Sequence, residues 1–312
     1  MKTQKIFRLG FILIALLAIV ATGCKKDNTT NTKSSDTSSL QQLTKDEDNV
    51  THVSDDASND ANVVLSGSTP KMFDPYWPCH VTLDSTRTSN DTITYYLTYN
   101  GTNCNGHLIR TGKQEVKIKV GTYWGQSGTV VITKLINFTV THVYSGKTVK
   151  LNGTRTFENV SGGLIWQLNG TNSITQRISG TMQATFDDNS TRTWHIARQH
   201  VFTGTLPDQL VLTTDGFGVA GGYTNLFTWG TTRNGEQFYT KDSVAVLHKQ
   251  VCNWNPVSGV IVHQVPSDDK KATVTYGYDD NNQPVTGDNC PTRYRVDWEK
   301  NGNFGTIFLP LP

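Results

Sequence analysis

The sequence predicts an all-β protein whose core is a large, strongly curved antiparallel sheet, forming a roll or a sandwich. Apolar and polar side chains alternate along several runs, which is the period of a half-buried strand. Asn-Gly pairs recur between apolar runs, as at Asn152-Gly153 and Asn301-Gly302, and such pairs are typical of tight hairpin turns. No segment shows a convincing helical period. The sheet is therefore expected to pack against itself or against a second sheet.

The first 23 residues have the pattern of an export signal. Lys2, Lys5 and Arg8 precede an apolar run from Leu9 to Val20, which is shorter than the roughly 20 residues that a membrane-spanning helix needs. This pattern predicts a signal peptide over residues 1–23. The small residues before Cys24 resemble the lipobox of bacterial lipoproteins, in which this cysteine becomes the lipidated first residue. The alternative is an ordinary signal peptide with an incidental cysteine.

A lipidated Cys24 would make the membrane a partner of this chain through its acyl chains alone, because each buried methylene contributes about 0.8 kcal/mol. Lys25 follows the cysteine, and a basic residue there speaks against retention at the inner membrane. We therefore expect an outer-membrane lipoprotein, on the periplasmic face or at the cell surface. Which of the two faces it occupies stays open.

Residues 24–67 are rich in Ser, Thr, Asn and Asp. Such a composition buries too little apolar surface to offset the entropy of ordering, so we expect a disordered linker. The globular β domain is then expected over residues 68–312.

Without the three basic residues of the signal, 25 of the 28 basic residues remain against 26 acidic ones. No basic cluster is interleaved with aromatic residues, so nucleic acid is not an expected partner.

Long alternating runs indicate the strands of this domain. In the run Ile174–Phe186, the apolar residues Ile174, Ile178 and Met182 share one parity and polar residues occupy the other. Similar runs cover 93–99, 132–140 and 294–298. Several runs exceed the usual five or six residues of a strand, which favours a strongly curved sheet.

Four further cysteines lie in the expected β domain. An even number in an exported chain favours disulfides, and four cysteines allow three pairings. We predict the two local pairs, Cys79 with Cys104 and Cys252 with Cys290. The spacings do not match the Cys-x-x-Cys clusters of zinc sites, so a structural role is expected.

Candidate binding residues are few, and none predicts a catalytic, cofactor or metal site. His195 and His200 are five residues apart on a predicted strand, so they face opposite sides and cannot jointly bind one ion. Arg198 and His200 share a face with Trp194. They are weak ligand candidates, at the rim of the core or in a pocket.

The loop 279–288 contains several carboxylate and amide oxygens, which are ligands that calcium prefers. Its spacing is not that of an EF-hand. A solvated turn and a calcium site are the two interpretations.

Short motifs are spread over most of the region after residue 75. They are Gly106–Gly112, Leu151–Thr156, Cys252-Asn253-Trp254, Thr273–Gly277 and Gly287–Cys290. With these motifs the chain resembles uncharacterised Bacteroidota envelope lipoproteins with a β-rich domain. The resemblance implies the fold and the envelope location, and it implies no activity.

The sequence supports three hypotheses about function. The leading one is a non-enzymatic, lipid-anchored structural or interaction module of the envelope, with other envelope proteins as partners and no cofactor. The alternative is a glycan-binding surface lipoprotein that is accessory to polysaccharide capture, because some of the tryptophans could stack on sugar rings. A hydrolase is the third, although no pair of carboxylates stands out as glycoside hydrolysis would require.

Overall fold

The computed structural model describes residues 30–67, 77–89 and 91–311. The expected signal peptide at residues 1–23 and the expected lipidation site Cys24 lie outside these ranges. Within them, no helix is long and apolar enough to cross a membrane.

The described chain consists of a long N-terminal helix followed by fifteen strands. The helix α1 spans Thr30–Leu65. The strands are β1 (Val81–Ser89), β2 (Thr92–Thr102), β3 (Leu108–Lys119), β4 (Thr129–His142), β5 (Thr148–Asn159), β6 (Ile174–Phe186), β7 (Thr191–Thr203), β8 (Val211–Gly216), β9 (Gly218–Ala220), β10 (Tyr223–Thr231), β11 (Gln237–Lys249), β12 (Pro256–Val265), β13 (Lys270–Tyr278), β14 (Arg293–Lys300) and β15 (Asn303–Pro310). Short 3₁₀ helices cover Ile165–Gln167, Gln250–Cys252 and Pro266–Asp268.

All strand pairs are antiparallel and belong to one sheet, which confirms the predicted fold class. Successive strands are neighbours from β1 to β7 and from β10 to β15, and β7 pairs directly with β10. Strand β8 also pairs with both β7 and β11, and it does so along a different stretch of each strand from the stretch that pairs with β10. The short β9 pairs with β10. Because α1 contacts inward side chains from β3, β7 and β13 alike, the sheet curves around this helix as a roll.

The Asn-Gly pairs turn the chain at some of the predicted places and not at others. Asn301-Gly302 forms the turn between β14 and β15, and both residues have positive φ angles. Asn152-Gly153 lies inside β5 instead, so the hairpin prediction is wrong there. The glycine is needed because a Cβ at Gly153 would lie 2.3 Å from the backbone oxygen of Thr181 on β6. Close approach of two strands, rather than a turn, explains this glycine.

The expected disordered linker over residues 24–67 is wrong for Thr30–Leu65, which forms α1. Apolar residues recur every seven positions, which places them on one face of a helix. They are Leu43, Val50, Ala57 and Val64, with Leu40 and Ala61 on the adjoining row, and all are buried. The globular unit therefore includes α1 and does not begin at residue 68. The sheet packs around this helix rather than against itself or a second sheet.

The core has two main apolar clusters, and α1 contributes to both. The larger one joins α1 from Leu43 onward to the inner faces of the first seven strands, including Phe138, Phe157 and Trp194. The second joins Leu40 to inward residues of β11–β14, including Trp298. The helix thus connects the two halves of the sheet.

Both predicted disulfides are confirmed. Cys79 pairs with Cys104, which ties the residues before β1 to the turn after β2. Cys252 pairs with Cys290, which ties the chain before β12 to the segment between β13 and β14.

Removing the second disulfide with Cys252→Ala and Cys290→Ala is expected to lower the free energy of unfolding by about 4 kcal/mol. The bond joins residues 38 apart, and closing a loop of this length restricts the unfolded chain. Urea denaturation of the oxidised wild type and of the double variant measures the difference. Equal unfolding midpoints would contradict the expectation.

Candidate functional site

Five arginines converge on α1 from the concave face of the sheet, and we call them the arginine cluster. Four of them occupy inward positions on strands because alternate residues of a strand point to the same face. These four are almost fully buried, and the fifth follows β10 and is partly buried. The cluster consists of Arg110 on β3, Arg155 on β5, Arg192 and Arg198 on β7, and Arg233.

Glu47 of α1 is the most heavily bonded acidic partner of the cluster. Its carboxylate pairs with the guanidinium of Arg192 and accepts a short hydrogen bond from the Thr228 hydroxyl. The indole N–H of Trp194 also donates to it, over 3.4 Å. The Glu47 side chain is only 4% exposed and that of Arg192 is not exposed, so this ion pair is shielded from water.

Three other arginines are paired with carboxylates of α1. Arg198 donates to both oxygens of Asp55, at 3.0 and 3.2 Å. The guanidiniums of Arg110 and Arg233 make the remaining pairs. Arg110 Nη1 lies 2.8 Å from Asp56 and 3.0 Å from Asp60, whereas Arg233 makes two hydrogen bonds of 2.7 Å with Asp46.

Arg155 differs from the other four arginines. In the described part of the chain, no carboxylate lies within hydrogen-bond distance of its guanidinium. Its Nη1 donates to the backbone oxygen and hydroxyl of Ser54 and to the hydroxyl of Ser58. Burial lowers the pKa of this guanidinium to about 10. Even so, Arg155 stays charged near neutral pH, because the negative charge of Asp55 opposes the effect of burial.

Asp48 and Asp60 of α1 have raised pKa values because burial disfavours their charged forms. The pKa of each carboxyl rises from 3.8 to about 7. Asp48 accepts a hydrogen bond of 3.0 Å from the Tyr276 hydroxyl. The tyrosine bonds oppose the shift of Asp48, and the nearby Glu47 adds to it.

Asp48→Asn is expected to raise the free energy of unfolding, by an amount that grows with pH. A carboxyl whose folded pKa is raised stabilises the folded state below the unfolded pKa, and this contribution is lost as pH rises through the folded value. The window for Asp48 is therefore about pH 4 to 7. Asparagine keeps a hydrogen-bond acceptor for Tyr276 and carries no charge. Urea denaturation of both proteins at several pH values measures the difference, and a constant difference from pH 4 to 8 would contradict the expectation.

The weak ligand candidates Arg198 and His200 both lie in the core beneath α1. Burial lowers the pKa of His200 to about 4, which keeps the imidazole neutral near pH 7. His195 faces the opposite side of β7, as predicted, where Thr181 hydrogen-bonds to its ring and Trp229 stacks on it. Arg198 and His200 therefore lie inside the core and not at its rim.

Several side-chain oxygens of the loop 279–288 bond to other groups of the protein. Asp279 Oδ1 accepts two backbone N–H groups, and Asp280 and Asn282 accept side-chain hydrogen bonds. Asp288 lies 3.4 Å from the ammonium of Lys249. No group of three or more metal-binding side chains was found in the described ranges. The contacts of Asp279, Asp280 and Asn282 hold the turn together.

A shallow cavity of about 260 Å³ lies on the outer face of β13, β14 and β15. Phe304 forms one wall and is 83% exposed. Asp297 and Glu299 line the cavity with Lys271. Asp297 accepts a hydrogen bond of 2.6 Å from Thr306 and pairs with Arg295 at 2.9 Å. The cavity therefore combines an aromatic surface with hydrogen-bonding groups.

Sequence reasoning missed the acidic half of the site because it assigned α1 to a linker. The sequence signal for this helix was the seven-residue spacing of apolar residues, in which Glu47 and Ser54 occupy positions otherwise taken by apolar residues. Polar residues on the inward row of a helix indicate buried polar partners. No family model, curated protein or solved structure matches this chain.

Proposed function

We propose that this chain is a lipid-anchored, non-enzymatic structural or interaction module of a bacterial envelope. The observation that carries the proposal is that α1 fills the concave face of the sheet. Four of the five arginines are neutralised there by carboxylates of the same chain. Partners would then bind the outer face and the turns.

The anchor is supported by the pattern around Cys24 and by the resemblance to Bacteroidota envelope lipoproteins. We propose the outer membrane as its location. Metabolic labelling with a palmitate analogue is expected to label the wild type and not Cys24→Ser. A labelled Cys24→Ser protein, or an unlabelled wild type in a lipoprotein-processing host, would contradict the anchor.

The role as a module is tested by crosslinking in intact cells, followed by purification of the full-length protein. Specific envelope proteins are expected to crosslink to the wild type and to be lost from the non-lipidated Cys24→Ser protein. The proposal would be contradicted if the purified protein hydrolysed chromogenic glycoside or ester substrates and if Asp297→Asn abolished this activity. That result would favour the hydrolase hypothesis instead.

A glycan-binding function is the second candidate, and the outer cavity favours it. An exposed aromatic ring beside carboxylates offers both stacking and hydrogen bonds to a sugar. Phe304→Ala is expected to abolish binding on a glycan array, whereas Trp166→Ala is expected to bind like the wild type. Trp166 is a matched control because it is also exposed, at 57%, and lies in the 3₁₀ helix before β6. Absence of binding by the wild type at high micromolar concentration would reject this candidate.

A further inference from the structure

The last strand, β15, forms one edge of the sheet. Within the described ranges it pairs with β14 alone, and β1 forms the other edge. Its pairing with β14 runs from Asn303 to Pro310 without a register shift, and none of the eight residues of β15 is charged. Charged side chains and bulges are common at sheet edges, because they prevent the unpaired N–H and C=O groups from pairing with another strand. Neither kind of protection is present in β15.

The edge at β1 does have such protection. The exposed Asp84 places a charge on this strand. The register of β1 with β2 also shifts between Arg87 and Ser89. A charge and an irregular register both disfavour pairing with a further strand. Of the two edges, β15 is therefore the one whose backbone suits the addition of a strand.

The backbone groups of every second residue in β15 point away from β14. The N–H of Leu311 donates to Thr292. In an antiparallel pair, positions bonded to the neighbouring strand alternate with positions whose N–H and C=O point to the other side. Counted back from Leu311, three residues present both groups to the open side, and they are Phe304, Thr306 and Phe308. Pro310 ends this row because it has no N–H.

This row of three residues is complementary to a reversed copy of itself. With a two-fold axis at Thr306, Phe304 lies opposite Phe308 of the second copy, and Thr306 lies opposite Thr306. Each of the three resulting pairs exchanges two backbone hydrogen bonds, about six in all. Cross-strand pairs of aromatic residues and of threonines add further stability. On the inner face, the small Gly305 lies opposite Ile307, which is only partly buried in this chain.

We propose that two copies of this chain associate through β15, antiparallel about a two-fold axis at Thr306, so that their sheets become continuous. Such an interface uses the same surface of both copies, as two-fold dimers do. The uncharged edge offers nothing to a partner that is selected by charge, whereas the reversed copy satisfies all of its outward backbone groups. Two short strands make a small interface, so we expect a reversible dimer. The inference does not depend on the lipid anchor.

A disulfide across the axis tests this geometry. The two Cα atoms of a hydrogen-bonded antiparallel pair lie about 5.5 Å apart, which suits a disulfide. Full-length Thr306→Cys in an excess of detergent micelles is therefore expected to form a covalent dimer on mild oxidation. Mass spectrometry is expected to identify a peptide that links position 306 to itself. Thr193→Cys is the matched control, because Thr193 is also exposed but lies on the interior strand β7, and it is expected to stay unlinked.

A charge at the axis tests the same dimer without a covalent bond. Thr306→Lys places two ammonium groups opposite each other, and it is expected to raise the dissociation constant of the dimer at least about tenfold. Asp297, which accepts a hydrogen bond from Thr306, offers the new lysine a partner within its own chain. Sedimentation equilibrium measures the constant, with Thr193→Lys as the control that is expected to match the wild type. Urea denaturation curves check that each variant folds.

Three results would overturn the proposal. The first is a wild type that stays monomeric at high micromolar concentration. The second is a dimer that tolerates Thr306→Lys and forms no link at position 306, because such a dimer would use another surface. The third is a link in intact cells between position 306 and a different envelope protein only, which would assign the edge to a strand of that protein.

Discussion

Glu47→Ala is expected to lower the free energy of unfolding by about 3–5 kcal/mol, because it leaves the buried charge of Arg192 without its carboxylate. The hydroxyl of Thr228 and the indole N–H of Trp194 lose their acceptor as well. A buried donor without an acceptor costs further free energy. Urea denaturation of the purified domain measures the change.

Glu115→Ala is the matched control for this substitution. Glu115 pairs with Lys117, whose side chain is 42% exposed, and exposed ion pairs contribute less than about 1 kcal/mol. The double variant Glu47→Leu, Arg192→Leu removes both buried charges and is expected to be more stable than Glu47→Ala. A loss from Glu47→Ala as small as that from Glu115→Ala would show that this ion pair is not buried in solution.

Ala57→Glu is expected to prevent stable folding or to lower the free energy of unfolding by several kcal/mol. Ala57 is completely buried in the larger apolar cluster, between α1 and the sheet. Glutamate there would place a charge and four extra heavy atoms in a filled space, and both burial of an unpaired charge and overpacking are destabilising.

Asn59→Glu is the matched control for Ala57→Glu. It introduces the same side chain two residues further along the same helix, at an exposed position. Its effect on stability is expected to be within about 0.5 kcal/mol. A disordered linker would tolerate both substitutions equally, so equal circular dichroism melting curves would refute the packed helix.

The strands and hairpins were predictable because their determinants are local. The alternation in Ile174–Phe186 corresponds to β6, with Ile174, Ile178 and Met182 all buried. The local disulfide pairs followed in the same way, since both join residues fewer than 40 positions apart. Asn152-Gly153 was misread because a glycine that allows two strands to approach has the same sequence signal as one that allows a turn.

The helix α1 was missed because its stability does not come from local propensity. Ser, Asn, Asp and Thr, which dominate this segment, are mediocre helix formers, and most helices in proteins depend on packing for their stability. The seven-residue spacing of Leu43, Val50, Ala57 and Val64 was present, but these residues are few among polar neighbours. Composition alone therefore indicated disorder.

Local patterns in the chain were thus enough for the β class, the principal strands and both disulfides, because each depends on residues that are close in sequence. Only the folded arrangement established that the acidic segment is the centre of the roll. Glu47 pairs with an arginine 145 residues away in the sequence, and Asp56 pairs with one 54 residues away. Burial of these carboxylates is tolerated because the arginines lie beside them in the folded protein. The seven-residue spacing of α1 marks its inward positions, but it does not indicate which distant arginines pair with them.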